Sequence, residues 1–287
     1  MAEKSSKVKA PKGTLIPIGG AEKRIDGEES SRGRRRLAVL RRVVAEMGGP
    51  DARIEVLATA SSIPDEISSI YDRSFAAVGC KNVGILNVRN RRDARKASTV
   101  DRLREADGLM FSGGDQRKII RAFADTEFHE IMLDRYRNEN FVIAGTSAGA
   151  MMMSGVMIFG GQSKRAMVDG KAKTTQGLGL MPKAIIDSHF VVRGRFGRMA
   201  VAIAENPESF GIGLGEDTGV VIKKGRYLEC IGSGHVSLYD GTKMKNMVQD
   251  DDDDDFPVTF EGMVFSVMSR GYHFDMQKRA FMKKSSS

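Results

Sequence analysis

Tryptophan is absent from this 287-residue chain, and only two cysteines, seven prolines and four histidines occur in it. Cys80 and Cys230 stand far apart with no C-x-x-C pattern, which argues against a disulfide framework or a zinc site and fits a reducing compartment. No apolar run is long enough to span a bilayer, and residues 1–7 have no apolar core, so no signal peptide is read and a cytoplasmic location is the expectation. Aromatic residues are scarce at 7%, and none interrupts the basic segment Arg32, Arg34, Arg35, Arg36, Arg41 and Arg42. Base stacking on a nucleic acid therefore lacks its platform. The segment reads instead as an outer helix whose Leu37, Val39, Leu40, Val43 and Val44 face a sheet. The net charge of +8 is uneven: the six aspartates Asp250 to Asp255 repel one another and read as an exposed loop.

What is present is an ordinary core composition, 41% hydrophobic and 29% charged, enough for one large α/β domain. Residues 1–12 read as a disordered tail, and 13–287 as a single catalytic domain carrying the acidic loop 250–255. Strand and helix patterns alternate along the first half. Strands are predicted at 14–18, 53–60, 83–88, 108–111 and 141–144. Helices are predicted at 35–47, 64–78, 99–106 and, as one long element, 116–136. Alternation of this kind means βαβ units: a doubly wound, mostly parallel sheet with helices on both faces. Further strands are predicted at 184–190 and 219–222, with a helix over 198–204. After Gly225 short strands and turns suggest an antiparallel extension at a sheet edge.

The chemistry centres on Gly145-Thr146-Ser147-Ala148-Gly149, which follows the apolar run Phe141 to Ala144 and precedes a helix-forming stretch. This is the layout of a nucleophile elbow: small neighbours let the backbone bend and leave the serine hydroxyl exposed. Gly19-Gly20, Gly113-Gly114 and Ser147 each follow a predicted strand, so they share the rim where open parallel sheets bind ligands. A serine needs a base and the base an orienting acid. Among His129, His189, His235 and His273, His189 fits best, because Asp187, Ser188 and His189 interrupt an apolar strand. Glu216, in a glycine-rich turn, is the leading acid, with Asp187 and Asp217 as rivals. The order serine, histidine, acid differs from that of α/β-hydrolases and argues against a lipase or esterase.

Residues 14–22, 111–116, 145–150, 187–190 with Arg193, Arg195 and Arg198, and 213–217 together resemble the cyanophycinase family of serine peptidases, in its order and over about residues 13 to 240. The elbow alone also fits the related dipeptidase E, which acts on short aspartyl peptides. The resemblance implies a class I glutamine amidotransferase-like (flavodoxin-like) sandwich. It implies a serine exopeptidase that cuts cyanophycin, a poly-aspartate bearing arginine on each side chain, into β-aspartyl-arginine dipeptides. By position, Ser147 is then the nucleophile, His189 the base and Glu216 the acid, with the N–H groups of Gly114 and Ala148 as oxyanion hole. Gln116, Asp187, Ser188, Arg193, Arg195 and Arg198 fall where the family recognises substrate, although Ser188 replaces the family's glutamine. Arginine forks suit the substrate's carboxylates, and Asp187 with Gln116 suits its guanidinium. The resemblance also implies a homodimer, and no metal, organic cofactor, nucleic acid or membrane. The rival readings are an aspartyl or isoaspartyl dipeptidase and a non-catalytic polymer-binding protein.

Overall fold

A computed structural model describes residues 9–22, 24, 37–248 and 259–282. Residues 1–8, the basic positions Arg32 to Arg36 and the run Asp250 to Asp255 lie outside the described residues. Five apolar segments form the parallel heart of the main sheet: β1 (Thr14–Ile18), β2 (Arg53–Leu57), β3 (Asn82–Ile85), β4 (Gly108–Phe111) and β5 (Val142–Thr146). They lie in the order β3-β2-β4-β5-β1, all parallel. The sequence pattern locates each of them, with ends shifted by up to three residues.

Period-two alternation sends successive side chains of each strand into two separate cores. On one face Ile16, Ile18, Ile54, Val56 and Met110 pack under α1 (Ala38–Glu46) and α2 (Pro64–Ala77), against Val39, Leu40, Val43, Tyr71 and Phe75. On the other, Leu15, Leu57, Leu109, Phe111 and Ile143 pack against the helices that follow β3 and β4. These are α3 (Arg91–Ala94), α4 (Ala97–Glu105), α5 (Gln116–Phe123) and α6 (Glu127–Asn138). The single helix expected over 116–136 is thus two. Asp125 adopts a left-handed φ of 53°, and Thr126 caps α6 by accepting from the His129 N–H.

After β5 a short helix, α7 (Ala148–Met151), leads into a hairpin of β6 (Val156–Gly160) and β7 (Lys173–Gln176) that encloses α8 (Ser163–Asp169). Then come β8 (Ala184–Asp187), α9 (Phe196–Glu205), β9 (Phe210–Leu214), β10 (Thr218–Lys223), β11 (Tyr227–Gly232), β12 (His235–Asp240) and β13 (Lys245–Val248). The described residues close with β14 (Thr259–Glu261), β15 (Val264–Ser269), β16 (His273–Asp275) and β17 (Ala280–Phe281). Strands β10, β11, β16 and β17 extend the main sheet beyond β1, each antiparallel to its neighbour, as the expected edge extension. A second sheet, β15-β12-β9-β8, packs its Ile186, Ile212 and Leu238 into the same core as β4 and β5. The fold is therefore α/β, with a mixed sheet, a parallel centre and helices on both faces. Cys80 and Cys230 are buried and unpaired with each other. Among the described residues no helix is long and apolar enough to cross a membrane.

Candidate active site

The turn from β5 into α7 is drawn tight by small residues. A side chain at Gly145 would lie 2.2 Å from the Gly149 carbonyl oxygen, so only glycine permits the approach. Ser147 occupies the apex at φ 51°, ψ −109°, outside the usual regions for an L-residue. Its own N–H is spent on the Ile18 carbonyl at 2.9 Å. Ala148 opens the helix, and its N–H belongs to the first turn, whose donors find no partner within the helix. Gly113, after β4, faces the serine, 3.3 Å from the Ser147 Cβ to where its own side chain would start. Gly114 follows at φ 140°.

His189 follows β8, also with a left-handed φ of 46°, and donates its N–H to the Gly19 carbonyl at 2.7 Å. Its imidazole rests on Gly20, where any side chain would come within 2.4 Å of Cε1 and Nε2. The β1 turn is therefore fitted to the ring. Nδ1 lies 2.7 Å from Glu216 Oε1. With the Glu216 oxygen accepting, Nδ1 is the donor of this bond and Nε2 is left as an acceptor. The other two acids are engaged elsewhere. Asp217 accepts from the Ser233 hydroxyl, and Asp187 is held by arginines. The Ser147 hydroxyl pairs, among the described residues, with the Ser188 hydroxyl at 3.4 Å rather than with His189.

Asp187 is fully buried. Arg198 Nε and Nη2 donate to its two oxygens at 2.7 and 2.6 Å, Arg195 Nη1 donates at 2.8 Å, and the Ser188 N–H adds a fourth bond at 2.9 Å. Asp187 thus meets guanidinium groups, but those of its own chain. Burial pulls Arg195 below the ordinary arginine range, and Asp187 partly offsets this. Arg193 is exposed, and it lines a small cleft of about 400 Å³ with Lys164, Gln162, Arg195 and Arg198. Gln116, the first residue of α5, is buried and donates to the Ile158 carbonyl at 2.9 Å. Of the remaining histidines, His129 Nε2 bonds the Leu178 carbonyl, His273 begins β16, and His235 begins β12, where its carbonyl accepts from the Gly215 N–H at 3.0 Å beside the Glu216 turn. Among the described residues no group of three or more His, Cys, Asp or Glu side chains is placed to hold a metal.

One residue at the site escapes sequence reasoning. Glu22 is buried, accepts from the Tyr71 hydroxyl at 2.7 Å and also accepts from the Thr146 hydroxyl, next to Ser147. In the sequence it stands two positions after the Gly19-Gly20 pair and closes the stretch 14–22 that carries the resemblance, with no role of its own assigned there.

Comparison with known proteins places the chain in a family. The model of Peptidase family S51 matches residues 30–229. A cyanophycinase from a Nostoc species is 32% identical over 286 residues, covering 97% of this chain and 92% of that protein. The cyanophycinase of Geminocystis herdmanii is 35% identical over 235 residues, with 80% and 82% covered. The crystal structure of a peptidase from an acI-B1 Actinobacterium shares the fold at a TM-score of 0.65 and 17% identity, covering 93% of this chain and 98% of that one. With its serine at a strand-to-helix elbow and a histidine and glutamate set beside it, the chain belongs to Peptidase family S51 and is a peptidase.

Proposed function

We propose that this peptidase is a serine-type exopeptidase that degrades cyanophycin to β-aspartyl-arginine dipeptides. The observation that carries the reading is the His189–Glu216 pair seated on the Gly19-Gly20 turn, whose strand also holds the Ser147 N–H. Ser147 attacks a backbone carbonyl of the polymer while Nε2 of His189 takes the hydroxyl proton. Glu216 holds the imidazole in the required tautomer and stabilises the imidazolium. The N–H groups of Gly114 and Ala148 receive the oxyanion. His189 returns the proton to the leaving amine, and water then hydrolyses the acyl-enzyme. Each repeat of the polymer brings carboxylates and a guanidinium. Arg193 and Lys164, at the mouth of the small cleft, suit the carboxylates, and Asp187 contributes by fixing Arg195 and Arg198.

The test is incubation of the purified protein with insoluble cyanophycin, reading clearing and product mass, beside Ser147→Ala. Wild type is expected to clear the suspension to β-aspartyl-arginine, and Ser147→Ala to bind without clearing. Cleavage of short isoaspartyl peptides but not the polymer would make the protein a dipeptidase. Undiminished turnover by Ser147→Ala would remove that residue from the mechanism.

A further inference from the structure

In an open α/β sheet, ligands sit where the chain leaves adjacent strands toward opposite faces. The parallel part of the main sheet has three such points. Between β1 and β5 the chain leaves β1 toward α1 on one face and β5 toward α7 on the other, and Ser147 lies there. The same divergence occurs between β2 and β4, toward α2 and α5, and between β2 and β3, toward α2 and α3. Outside these two neighbouring points is a cleft of about 710 Å³, bounded by the turns after β2 and β3 and by α5. Its volume is that of a ligand site.

The lining of this cleft is one-signed. Arg89, Arg91, Lys118 and Arg121 line it, and no carboxylate does. Three of the four have engagements that leave their charge exposed or half-exposed. Arg89 pairs with the exposed Asp65 at 2.8 Å, Arg91 donates to the Asp125 carbonyl at 2.9 Å, and Lys118 to the Ser61 carbonyl at 3.1 Å. Arg121 is exposed, with no hydrogen bond or ion pair among the described residues and only the charge of Asp115 acting on it from beyond ion-pair reach. Two backbone carbonyls and two carboxylates do not neutralise four cations. No aromatic residue lines the cleft, so nothing there stacks a base.

The cleft and the serine share one rim and one wall. The Asp115 N–H donates to the Ala60 carbonyl at 2.9 Å, and a side chain at Gly114 would fall 2.0 Å from that oxygen. The turn after β2 is thus pressed onto the glycine pair that faces Ser147 from its other side. We propose that this cleft is a second binding site, which holds carboxylates of a remote repeat of the polymer while its end is cut at Ser147. The proposal rests on the polymer reading above. An enzyme that works from a chain end gains retention from a site that grips the same chain farther along. Arginine forks select the carboxylates, and the guanidinium groups of the repeat turn outward to solvent.

The test uses Arg121→Glu and the double variant Lys118→Glu/Arg121→Glu, with Arg121→Glu guarding against local unfolding around the half-buried Lys118. In a Ser147→Ala background, co-sedimentation with insoluble cyanophycin is expected to weaken severalfold in the single variant and by about tenfold in the double. With Ser147 intact, KM for the polymer rises and kcat holds, while kcat/KM on the shortest cleavable oligomer is unchanged. Soluble poly-aspartate competes with the polymer for wild type but not for the double variant. Unchanged retention, or an equal loss on the oligomer, would overturn the proposal. Competition by inorganic phosphate as strong as that by poly-aspartate would reassign the cleft to small anions. A wild type that neither binds nor clears cyanophycin would instead defeat the underlying polymer reading.

Discussion

Ser147 and His189 both hold left-handed backbone without being glycine, and such strain persists only where surroundings impose it. The imposing segment is short. Ile18 accepts from Ser147, Gly19 from His189 and Gly20 from Asp217, next to Glu216. Glu22 then ties this segment to Thr146 and Tyr71, and Arg24 lies over the Tyr71 ring. Burial, with the charge of Glu22 beside it, pushes the Tyr71 phenol well above its ordinary range, so it remains a donor. Thr146→Val removes the tether to the serine with almost no change in volume. It is expected to lower kcat by roughly tenfold or more with KM unchanged, since small misplacements of reacting groups are costly. Tyr71→Phe, on the far side of Glu22, is expected to cost stability and spare kcat. Steady-state kinetics on both variants, with denaturation midpoints, separates positioning from mere support. A kcat for Thr146→Val equal to wild type would leave Glu22 a structural residue. The elbow was legible because glycines two residues either side of Ser147 encode close approach. The choice of Glu216 over Asp187 and Asp217 was not, since three acids within a few positions of a strand end differ only by where each turn points. Glu22 was illegible because its partners are 49 and 124 positions away.

Elements meet at the site through the buried Asp187, which ends β8 and is gripped by Arg198 of α9 and by Arg195 just before it. A carboxylate removed from water in this way is stable only while its partners remain. Arg198→Ala is therefore expected to destabilise the fold by about 3 kcal/mol. Arg193→Ala, at an exposed position, is expected to change stability by no more than about 0.5 kcal/mol. It should instead raise KM for the polymer. Urea unfolding beside substrate titration checks this. Equal stability losses would mean that Arg193 is part of the same clamp. Three arginines at close spacing read in the sequence as one binding group, because spacing does not report which of them a buried acid claims. The parallel strands were legible from their apolar runs, which in β1, β4 and β5 end at glycines, and α2 from its opening Pro64. The division of 116–136 was hidden because the apolar spacing of four slips by only one residue between Phe123 and Phe128, and no glycine or proline marks the break. The β6–β7 hairpin carries Lys173, Thr174 and Thr175 on a largely exposed strand, which gave no apolar signal.

At the scale of the molecule, ion pairs between distant elements set the response to acid. Arg42 of α1 lowers Glu229 of β11 from its ordinary value, and Arg226 holds Asp275 of β16 down to about 2. Two backbone N–H groups, of Gln277 and Lys278, also donate to Asp275. A carboxylate lowered in the folded state contributes stability that is complete above its unfolded value, about 4. That contribution is lost as pH falls through the folded value, here toward about 2 for Asp275. Protonation also adds to a net charge that is already +8 near neutrality. On the alkaline side the sign reverses. Burial pushes the Cys230 thiol up to about 12 from 9.0, so its contribution is complete below the unfolded value and fades between about 9 and about 12. Stability is therefore expected to be nearly flat across neutral pH and to fall on both sides. Asp275→Asn should lower the urea midpoint at pH 7, where the charged pair with Arg226 is intact in wild type. The difference between the two proteins should shrink as pH falls from about 4 toward about 2, because wild type loses there what the variant never had. A gap that stays constant over that interval would mean that Asp275 stabilises the edge of the sheet through its neutral hydrogen bonds and not through its charge.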